Sequence, residues 1–316
     1  MKQLLINDVA PLLLSYDNVE ILTHIYPDGD TIGSAYALCM AMQSLGKNVR
    51  VITTCKMPKG FVPLIGTVKE QTFEPDYVVS VDVASLELLG DLRQKYCDKI
   101  NLCIDHHSIN SIVADNVYVD STAAATGEIM YEIIKQLNVE LTVDMAKALY
   151  LAISTDTGCF RYSNTTSRTM RICADLLEYG IDNGAINHKL FEEKSPKKIE
   201  LERLVYDTLT YFAGNKGAMI AVTQEMLQKL DIEDADTEGL AAIPRQIEGV
   251  IIGVTVRQKD NNEYKISVRT TSDVSAADIC AKFGGGGHRS AAGCNITADS
   301  LAEVKSKFIK AVEASL

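Results

Sequence analysis

The sequence lacks four features that would place it in other classes of protein. It has no excess of basic residues, since 31 Lys and Arg stand against 42 Asp and Glu for a net charge of −11, whereas a general nucleic-acid-coating protein would be basic. Its eight cysteines include no Cys-x-x-Cys pair, which favours reduced thiols in a cytosolic enzyme. No apolar run of about 18 residues predicts a membrane span. Asn7, Asp8 and Pro11 interrupt the apolar N-terminus, which argues against a signal peptide. We therefore expect a cytoplasmic protein.

Internal repeats and low-complexity segments are also absent from the sequence. A length of 316 residues favours two domains, and a hydrophobic content of 47% provides ample material for their cores. We predict a first domain over residues 1–190, a helical linker over 191–216 and a second domain over 217–316. Within the linker, Ser195 is expected to cap a helix that begins at Pro196.

Residues 1–190 alternate between short β-rich runs and helical segments. Strands are predicted at Val19–Thr23, Val49–Thr53, Tyr77–Val81 and Ile100–Ile104, with a further strand-like run at Leu149–Ser154. Helices are predicted at Ser34–Leu45 and Thr126–Leu137. This alternation predicts an α/β fold, a parallel sheet with helices on both faces. In such sheets, ligands bind beyond the carboxyl ends of the strands.

The second domain has a different pattern. A strand at Ala218–Val222 precedes a short helix, and two longer strands at Gly249–Arg257 and Tyr264–Arg269 flank a turn-rich segment at 259–262. These two strands predict a hairpin. A final amphipathic helix is expected from about Ser300 to Val312. We predict a smaller α/β domain with a mixed sheet.

Histidine and aspartate follow four of the predicted strands of the first domain. The four sets are His24, Asp28 and Asp30; Asp82; Asp105, His106 and His107; and Asp156 after the run Leu149–Ser154. If these strands are parallel neighbours, all four sets converge at one edge of the sheet.

Imidazole and carboxylate together suit Mn²⁺, and also Mg²⁺, Fe²⁺ or Co²⁺. The lack of neighbouring thiolates disfavours a structural zinc site. The set offers more ligands than one ion needs, and it suits two ions about 3.5–4 Å apart that share a carboxylate, an arrangement used for displacement at phosphorus. An isolated Asp-x-Asp is usually a turn or a helix cap, but the conjunction at successive strand ends favours metal binding.

These residues carry a resemblance to a known family. The ordered set His24-x-x-x-Asp28-x-Asp30, Val81-Asp82, Asp105-His106-His107 and Asp156-Thr157-Gly158 resembles the four motifs of the DHH phosphoesterase superfamily. The run from Gly284 to Gly293, GGGGHRSAAG, resembles the glycine-rich motif of the DHH-associated C-terminal domain. The two-domain length resembles the stand-alone oligoribonucleases (nanoRNases), which also remove the 3′-phosphate from adenosine 3′,5′-bisphosphate. The resemblance therefore implies a phosphodiesterase for short RNA or linear dinucleotides.

The resemblance also implies a role for each residue. Two Mn²⁺ ions, with Mg²⁺ or Co²⁺ as substitutes, would be held by six residues: His24, Asp28, Asp30, Asp82, His106 and Asp156. The first ion would take His24, Asp28 and Asp82, and the second would take the others together with a bridging Asp82. Asp105 would orient an imidazole. His107 would contact the phosphate and protonate the leaving oxygen.

Glycines and arginines of the second domain are the predicted substrate contacts. Glycines let backbone amides approach an anion, and Arg257 and Arg269, near the ends of the two long strands, are expected to face one ligand. The resemblance implies that this domain binds the 5′-phosphate end of the substrate, with a loop closing over the metal site: Gly285, Gly286, Gly287 and His288. The alternatives are a flexible turn before a strand and solvated strand-end charges.

Arg161 and Asn164 are further predicted substrate contacts, because they follow the Asp156 motif closely. The alternative is that this segment starts the helix expected at Ser167–Tyr179, with Thr165 or Thr166 as its cap.

Three other functions stay open. A cyclic-dinucleotide phosphodiesterase would often carry membrane or sensory domains, an inorganic pyrophosphatase would have a different C-terminal domain, and a non-catalytic nucleotide-binding protein would be expected to lack a metal ligand. An exonuclease for long single strands would need a longer chain and a more basic groove. We expect short RNA, dinucleotides or nucleotides as substrates, with no long nucleic-acid track and no membrane partner. The oligomeric state is left open, a homodimer included.

Overall fold

A computed structural model describes the chain apart from residues 54–56, 59, 233–236, 238, 260–261, 272–273 and 314–316, and it describes only the backbone of residue 288. The chain divides into two compact units, Met1–Glu193 and Lys194–Leu316. Across the described ranges, the helices are too short or too polar to cross a membrane.

The first unit alternates strands and helices. Its strands are β1 (Lys2–Gln3), β2 (Asn18–Leu22), β3 (Asn48–Ile52), β4 (Tyr77–Val81), β5 (Leu102–Asp105) and β6 (Asn116–Val119). Its helices are α1 (Ile6–Leu14), α2 (Gly29–Ser44), α3 (Arg93–Tyr96), α4 (Thr126–Gln136), α5 (Val143–Asp156), α6 (Ser167–Glu178) and α7 (Asn183–Asn187).

All strands of the first unit are parallel, in the order β1-β6-β5-β4-β2-β3. The predicted α/β class with a parallel sheet is confirmed. The larger core packs α1, α2, α4, α5 and α6 on one face, and a 3₁₀ segment at Leu86–Leu92 with α3 covers the other. From β2 the chain first adds β3 on one side and then β4 on the other, so the order reverses between β2 and β4. Ligands of open α/β sheets bind at such a reversal.

One predicted strand is wrong. The run Leu149–Ser154 lies inside helix α5. Every one of its residues is buried, because α5 packs among α2, α4 and α6. A helix buried on all sides shows no alternation of polar and apolar residues, so a short apolar run within it resembles a buried strand.

The second unit contains a mixed sheet. Its strands are β7 (Thr210–Phe212), β8 (Gly217–Val222), β9 (Ile252–Gln258), β10 (Glu263–Thr270), β11 (Gly286–His288) and β12 (Ala291–Thr297). Its helices are α8 (Pro196–Tyr206), α9 (Gln224–Leu230), α10 (Ala276–Ala281) and α11 (Leu301–Glu313). The strand order is β11-β12-β10-β9-β8-β7, with β8 and β9 parallel and the other pairs antiparallel. The predicted hairpin of two long strands is present as β9 and β10, although residues 260–261 of its turn lie outside the described residues.

Helix α8 begins as the sequence predicts. The hydroxyl of Ser195 accepts a hydrogen bond from the Lys198 amide at 3.1 Å, and Pro196 is the first helical residue. The helix packs within the second unit, because Leu201 and Val205 are buried against β8 and α9. It is therefore part of that unit's core and not a free connecting helix.

The glycine run was expected to form a loop, and the structure corrects this in part. Gly286 and Gly287 pair with Gly293 and Ala292 as strand β11. A Cβ on Gly285 would lie 2.2 Å from the Gly293 carbonyl oxygen, and Gly287 has a φ of 143°. These glycines are required for the close approach of two chain segments, in addition to any ligand they bind.

Candidate metal centre

The reversal point of the first sheet brings His24 and Asp82 together. His24 lies just beyond β2, and Asp82 directly follows β4. The Nε2 atom of His24 is 3.6 Å from Oδ2 of Asp82 and 3.5 Å from Oδ2 of Asp28. Burial alone would lower the pKa of His24, but Asp28 and Asp82 raise it to about 9. These three side chains form a group whose ligand atoms could share one ion.

Asp28 and Asp30 are placed by the start of helix α2. Asp28 is the N-cap, and its Oδ1 accepts hydrogen bonds from the amides of Asp30 and Thr31 at 3.1 and 3.0 Å. This leaves Oδ2 of Asp28 facing His24. Asp-x-Asp is thus both a helix cap and a pair of ligands, so the two interpretations of the motif are compatible.

Asp30 is fully buried and is held by the N-terminus of helix α4. Its Oδ2 accepts from the Thr126 amide at 2.7 Å, and its Oδ1 accepts from the Gly127 amide at 2.9 Å. The first amides of a helix are free to bind an anion and carry the positive end of the helix dipole. Even so, burial and the carboxylates of Asp82 and Asp156 raise the pKa of Asp30 well above its usual range.

Asp82 lies between the two sets of ligands. Its φ of 59° is left-handed, a conformation that Asp and Asn tolerate better than most residues. The hydroxyl of Thr126 donates to its Oδ1 at 2.9 Å. Oδ1 is 3.8 Å from Nε2 of His106, while Oδ2 faces His24. One carboxylate therefore faces two imidazoles from opposite oxygens, as a bridging ligand must.

His106 and Asp156 complete a second group. Nε2 of His106 is 3.6 Å from Oδ2 of Asp30 and 3.3 Å from Oδ2 of Asp156. Nδ1 of His106 is 3.2 Å from the Ala123 carbonyl oxygen, which fixes Nδ1 as the protonated nitrogen and leaves Nε2 as the ligand atom. Asp156 ends helix α5, where the helix dipole disfavours a carboxylate. Burial, with the carboxylates of Asp82 and Asp28, raises the pKa of Asp156 to about 6.

Asp105 and His107 form a hydrogen-bonded pair beside these groups. Oδ1 of Asp105 lies 2.8 Å from Nδ1 of His107 and also accepts from the His106 amide at 2.8 Å. The Asp105 bond raises the pKa of His107 to about 9. Asn110, which sequence reasoning missed, donates to Oδ2 of Asp105 at 2.6 Å. The imidazole that Asp105 orients is therefore His107.

The donor set fits divalent cations. Five aspartates meet at one edge of the sheet, and the pKa values of Asp30 and Asp156 are raised because burial and neighbouring carboxylates disfavour the charged form. Among the described residues, three groups each place their ligand atoms within 4.8 Å of one another, and Asp82 belongs to two of these groups. Two cations would relieve the repulsion between carboxylates, and the absence of thiolates in these groups favours a hard ion.

Comparison with known proteins decides the family. Residues 18–153 match the model described as "DHH family, N-terminal domain", and residues 216–316 match the DHHA1 domain. A probable bifunctional oligoribonuclease and PAP phosphatase NrnA of Streptococcus mutans is 30% identical over 293 residues, covering 92% of each chain. The chain belongs to the DHH family of phosphoesterases.

Other relatives agree. The bifunctional oligoribonuclease and PAP phosphatase NrnA of Thermus thermophilus is 29% identical, over 98% of this chain and 93% of its own. An exopolyphosphatase-related protein of Bacteroides fragilis has the same fold, with a TM-score of 0.88 at 23% identity over 98% of this chain and 96% of that chain. This protein, as a member of the DHH family, is therefore a hydrolase.

Arg161 and Asn164 have contacts of their own in this DHH-family phosphoesterase. The Asn164 amide donates to the carbonyl oxygens of Ala124 and Asp156 at 3.0 and 3.1 Å. The Arg161 guanidinium donates to the Gly158 carbonyl and lies 5.7 Å from the centre of the Phe191 ring. Thr166, not Thr165, caps helix α6. Both predicted contact residues therefore brace the segment that follows Asp156, and their contact with substrate stays a prediction.

The second unit separates the two predicted arginines. Arg257 pairs with Lys265, whereas Arg269 pairs with Gly253, so they occupy opposite ends of the β9–β10 hairpin. Four residues of strand correspond to about 13 Å. Both arginines lie on one face of the sheet, because paired residues share a face and Lys265 and Arg269 are four residues apart. Their contact with one ligand stays a prediction.

Arg245 is a basic residue near Arg269 that sequence reasoning missed. Its backbone nitrogen lies 3.1 Å from the place where Gly253, opposite Arg269, would carry a Cβ. Burial and the Arg245 guanidinium lower the pKa of Arg269. Within the described ranges, neither guanidinium has a carboxylate partner. The glycines line a separate open cavity of about 410 Å³, which Lys265 and Asn295 also line. The backbone of His288 lies on β11, opposite Ala291.

Proposed function

We propose that the protein is a phosphodiesterase that uses two Mn²⁺ ions to hydrolyse short oligoribonucleotides and linear dinucleotides to mononucleotides. We propose also that it removes the 3′-phosphate from adenosine 3′,5′-bisphosphate. The observation that carries this proposal is the pair of ligand groups that Asp82 faces from its two oxygens. Relatives that match nearly the full chain are named as oligoribonucleases and PAP phosphatases, which supports the substrate class.

Six residues would hold the ions. His24, Asp28 and Asp82 would bind the first, and Asp30, His106 and Asp156 would bind the second with Asp82. When bound, the ions would supply Lewis-acid activation of water and would stabilise negative charge that develops at phosphorus. Mg²⁺ or Co²⁺ would substitute for Mn²⁺.

His107 is proposed to act as the general acid. Asp105 holds its Nδ1 proton, and in the metal-free site this bond raises the pKa of His107 to about 9, which favours the protonated imidazole. The ring is 45% exposed, so that Nε2 can reach a ligand. The proton on Nε2 would pass to the leaving oxygen as the P–O bond breaks. Asp105 would orient this imidazole and stabilise its positive charge.

Residues of the second unit are proposed to bind the 5′-phosphate end of the substrate. Arg269 and the nearby Arg245 lack a carboxylate partner among the described residues and suit a phosphate. Gly285, Gly286, Gly287 and His288 are proposed contacts through the glycine-lined cavity and the strand beside it. Arg257, Arg161 and Asn164 are proposed as further contacts.

A substrate panel tests the activity. The purified protein with Mn²⁺ is given 5′-pApA, adenosine 3′,5′-bisphosphate, cyclic di-AMP, pyrophosphate and a 20-nucleotide RNA, and the products are separated by chromatography. We expect fast turnover of the dinucleotide and of the bisphosphate. Faster turnover of cyclic di-AMP or pyrophosphate would replace this proposal with one of the open alternatives, and equal rates on the 20-mer and the dimer would refute a preference for short RNA.

Arg269→Ala tests the phosphate contact. Loss of a hydrogen bond between charged groups costs about 1.5–3 kcal/mol, so KM for 5′-pApA should rise by about 10–100-fold. Bis-p-nitrophenyl phosphate lacks a second phosphate, and its hydrolysis should change little. Arg203→Ala, at an exposed position on α8, is the matched control. Equal losses of activity on both substrates would show that Arg269 acts in the chemical step and does not bind the 5′-phosphate.

A further inference from the structure

Helix α4 carries a carboxylate that the proposed reaction leaves unexplained. Glu128, in the first turn of α4, is completely buried. Neither of its carboxylate oxygens has a hydrogen-bond partner in the described part of the chain. A buried carboxylate without compensation is strongly unfavourable, and a nearby cation provides that compensation.

Arg168 provides that cation from helix α6. Its Nε atom lies 3.5 Å from Oε2 of Glu128, and its Nη1 donates to Oδ2 of Asp120 at 2.7 Å. Asp120 directly follows β6, and its amide donates to the carbonyl oxygen of Asp105 at 3.1 Å. One guanidinium therefore joins the first turn of α4 to the carboxyl end of β6, at the edge where the metal centre lies.

The first turn of α4 is also the part of the helix that holds Asp30. The Thr126 and Gly127 amides bind the two oxygens of Asp30, and the Thr126 hydroxyl binds Asp82. Glu128 is the next residue along the chain. If Glu128 loses its cation, its carboxylate is stabilised by moving toward water, where its charge is hydrated. Such a movement would shift this turn and displace the amides that hold Asp30.

We propose that Arg168 and Glu128 are positioning residues for the metal centre, which keep the first turn of α4 in place so that its amides orient Asp30. The inference rests on the proposed function insofar as Asp30 binds the second ion. It assigns to neither residue any contact with substrate or with an ion.

Metal binding, measured separately from activity, tests this role. Mn²⁺ is titrated into the metal-free protein, and electron paramagnetic resonance of the free ion gives the number of bound ions and their affinities. Arg168→Met removes the charge and retains much of the volume. We expect this substitution to lower the affinity for the second ion by about 10–100-fold, the usual effect of losing a residue that orients a ligand. The affinity for the first ion should fall less, because among its three proposed ligands only Asp82 bonds to this turn, through the Thr126 hydroxyl.

Charge balance separates positioning from a general loss of stability. Glu128→Gln/Arg168→Met removes the cation together with the fully buried charge, and the Asp120 carboxylate that remains is partly exposed and keeps its hydrogen bonds from Thr122. The second ion should therefore bind within about threefold of wild type. Arg171→Met, an exposed arginine one turn further along α6, is the control and should bind both ions normally. The melting temperature of each metal-free variant is recorded in parallel.

Each outcome decides between defined alternatives. Wild-type affinity in Arg168→Met, or a double variant as weak as Arg168→Met, would overturn the positioning role. A wild-type protein that binds fewer than two ions would instead overturn the proposed two-ion centre. If Arg168→Met does not fold, Arg168→Lys retains the cation and should bind the second ion within about tenfold of wild type, and a larger loss would contradict the argument from charge.

Discussion

Asp82→Asn is the substitution that most directly tests the metal centre. It removes one negative charge from a side chain whose two oxygens face His24 and His106. Asparagine tolerates the left-handed backbone at this position, where φ is 59°. Its amide oxygen can still accept the hydrogen bond from the Thr126 hydroxyl. The variant should therefore fold, which Asp82→Ala does not guarantee, because alanine in this conformation costs about 1–2 kcal/mol.

The expected magnitude follows from the number of ions affected. Removal of a single group that stabilises charge in a transition state costs about 10²–10³-fold in rate. A carboxylate shared by two ions is a ligand of both, so kcat/KM should fall by more than about 10³-fold, or about 4 kcal/mol in barrier height. Bound Mn²⁺ should fall from two ions toward one or none.

Three measurements check this expectation: hydrolysis of 5′-pApA, metal content by elemental analysis, and thermal melting of the metal-free protein. Asp98→Asn, an exposed aspartate in the same unit, is the control and should match wild type. Near-normal turnover by Asp82→Asn with two bound ions would refute the bridging role. If turnover is lost but the metal content is unchanged, Asp82 is not needed for metal binding and acts in catalysis alone.

Further predictions concern pH, metal preference and stability. Mn²⁺ binding should strengthen as pH rises from 5 to 7, because the pKa of Asp156 is raised to about 6 and a proton competes with the ion below that pH; calorimetric titrations that give equal affinities at pH 5 and 7 would contradict this. The same shift should make the metal-free protein less stable as the pH rises from about 4 through 6, since only the folded state holds the proton there. Activity should depend on Mn²⁺ more than on Zn²⁺, given ligands without thiolates, and an enzyme active only with Zn²⁺ would show this to be wrong. Tyr96→Phe should destabilise the protein by about 2 kcal/mol, because the tyrosine hydroxyl donates at 2.7 Å to the buried carboxylate of Glu20; its Mn²⁺ affinity should be unchanged, and denaturant unfolding that matches wild type would contradict the argument.

The sequence predicts most of the fold because parallel strands have a simple pattern. Tyr77–Val81 is β4 to the residue, and the other predicted strands of the sheet differ by one or two residues at their ends. Helix α5 is the exception, since its segment Leu149–Ser154 is completely buried and lacks the polar face by which helices are recognised. Asp156 still reaches the expected edge, because the carboxyl end of that helix lies there.

Site residues could be predicted only where they occur in short motifs. His24, Asp28 and Asp30 are close in the chain, and their spacing follows from the turn into α2. Thr126 contributes through a hydrogen bond to Asp82 that depends on the packing of distant segments. Asn110 lies only five residues after Asp105, but its hydrogen bond depends on the conformation of the loop between them. Arg245 is similar, because only the folded hairpin places it near Arg269.

The double use of Asp28 restricts how this region can change by insertion and deletion. One oxygen fixes the first residue of α2, and the other faces an imidazole fixed by the end of β2. The three intervening residues must therefore span a set distance, while their side chains are less restricted, since Tyr26 is 70% exposed. We expect that random substitution in this segment retains function far more often than loss or gain of a single residue, which would leave helix and strand intact but move the imidazole out of reach.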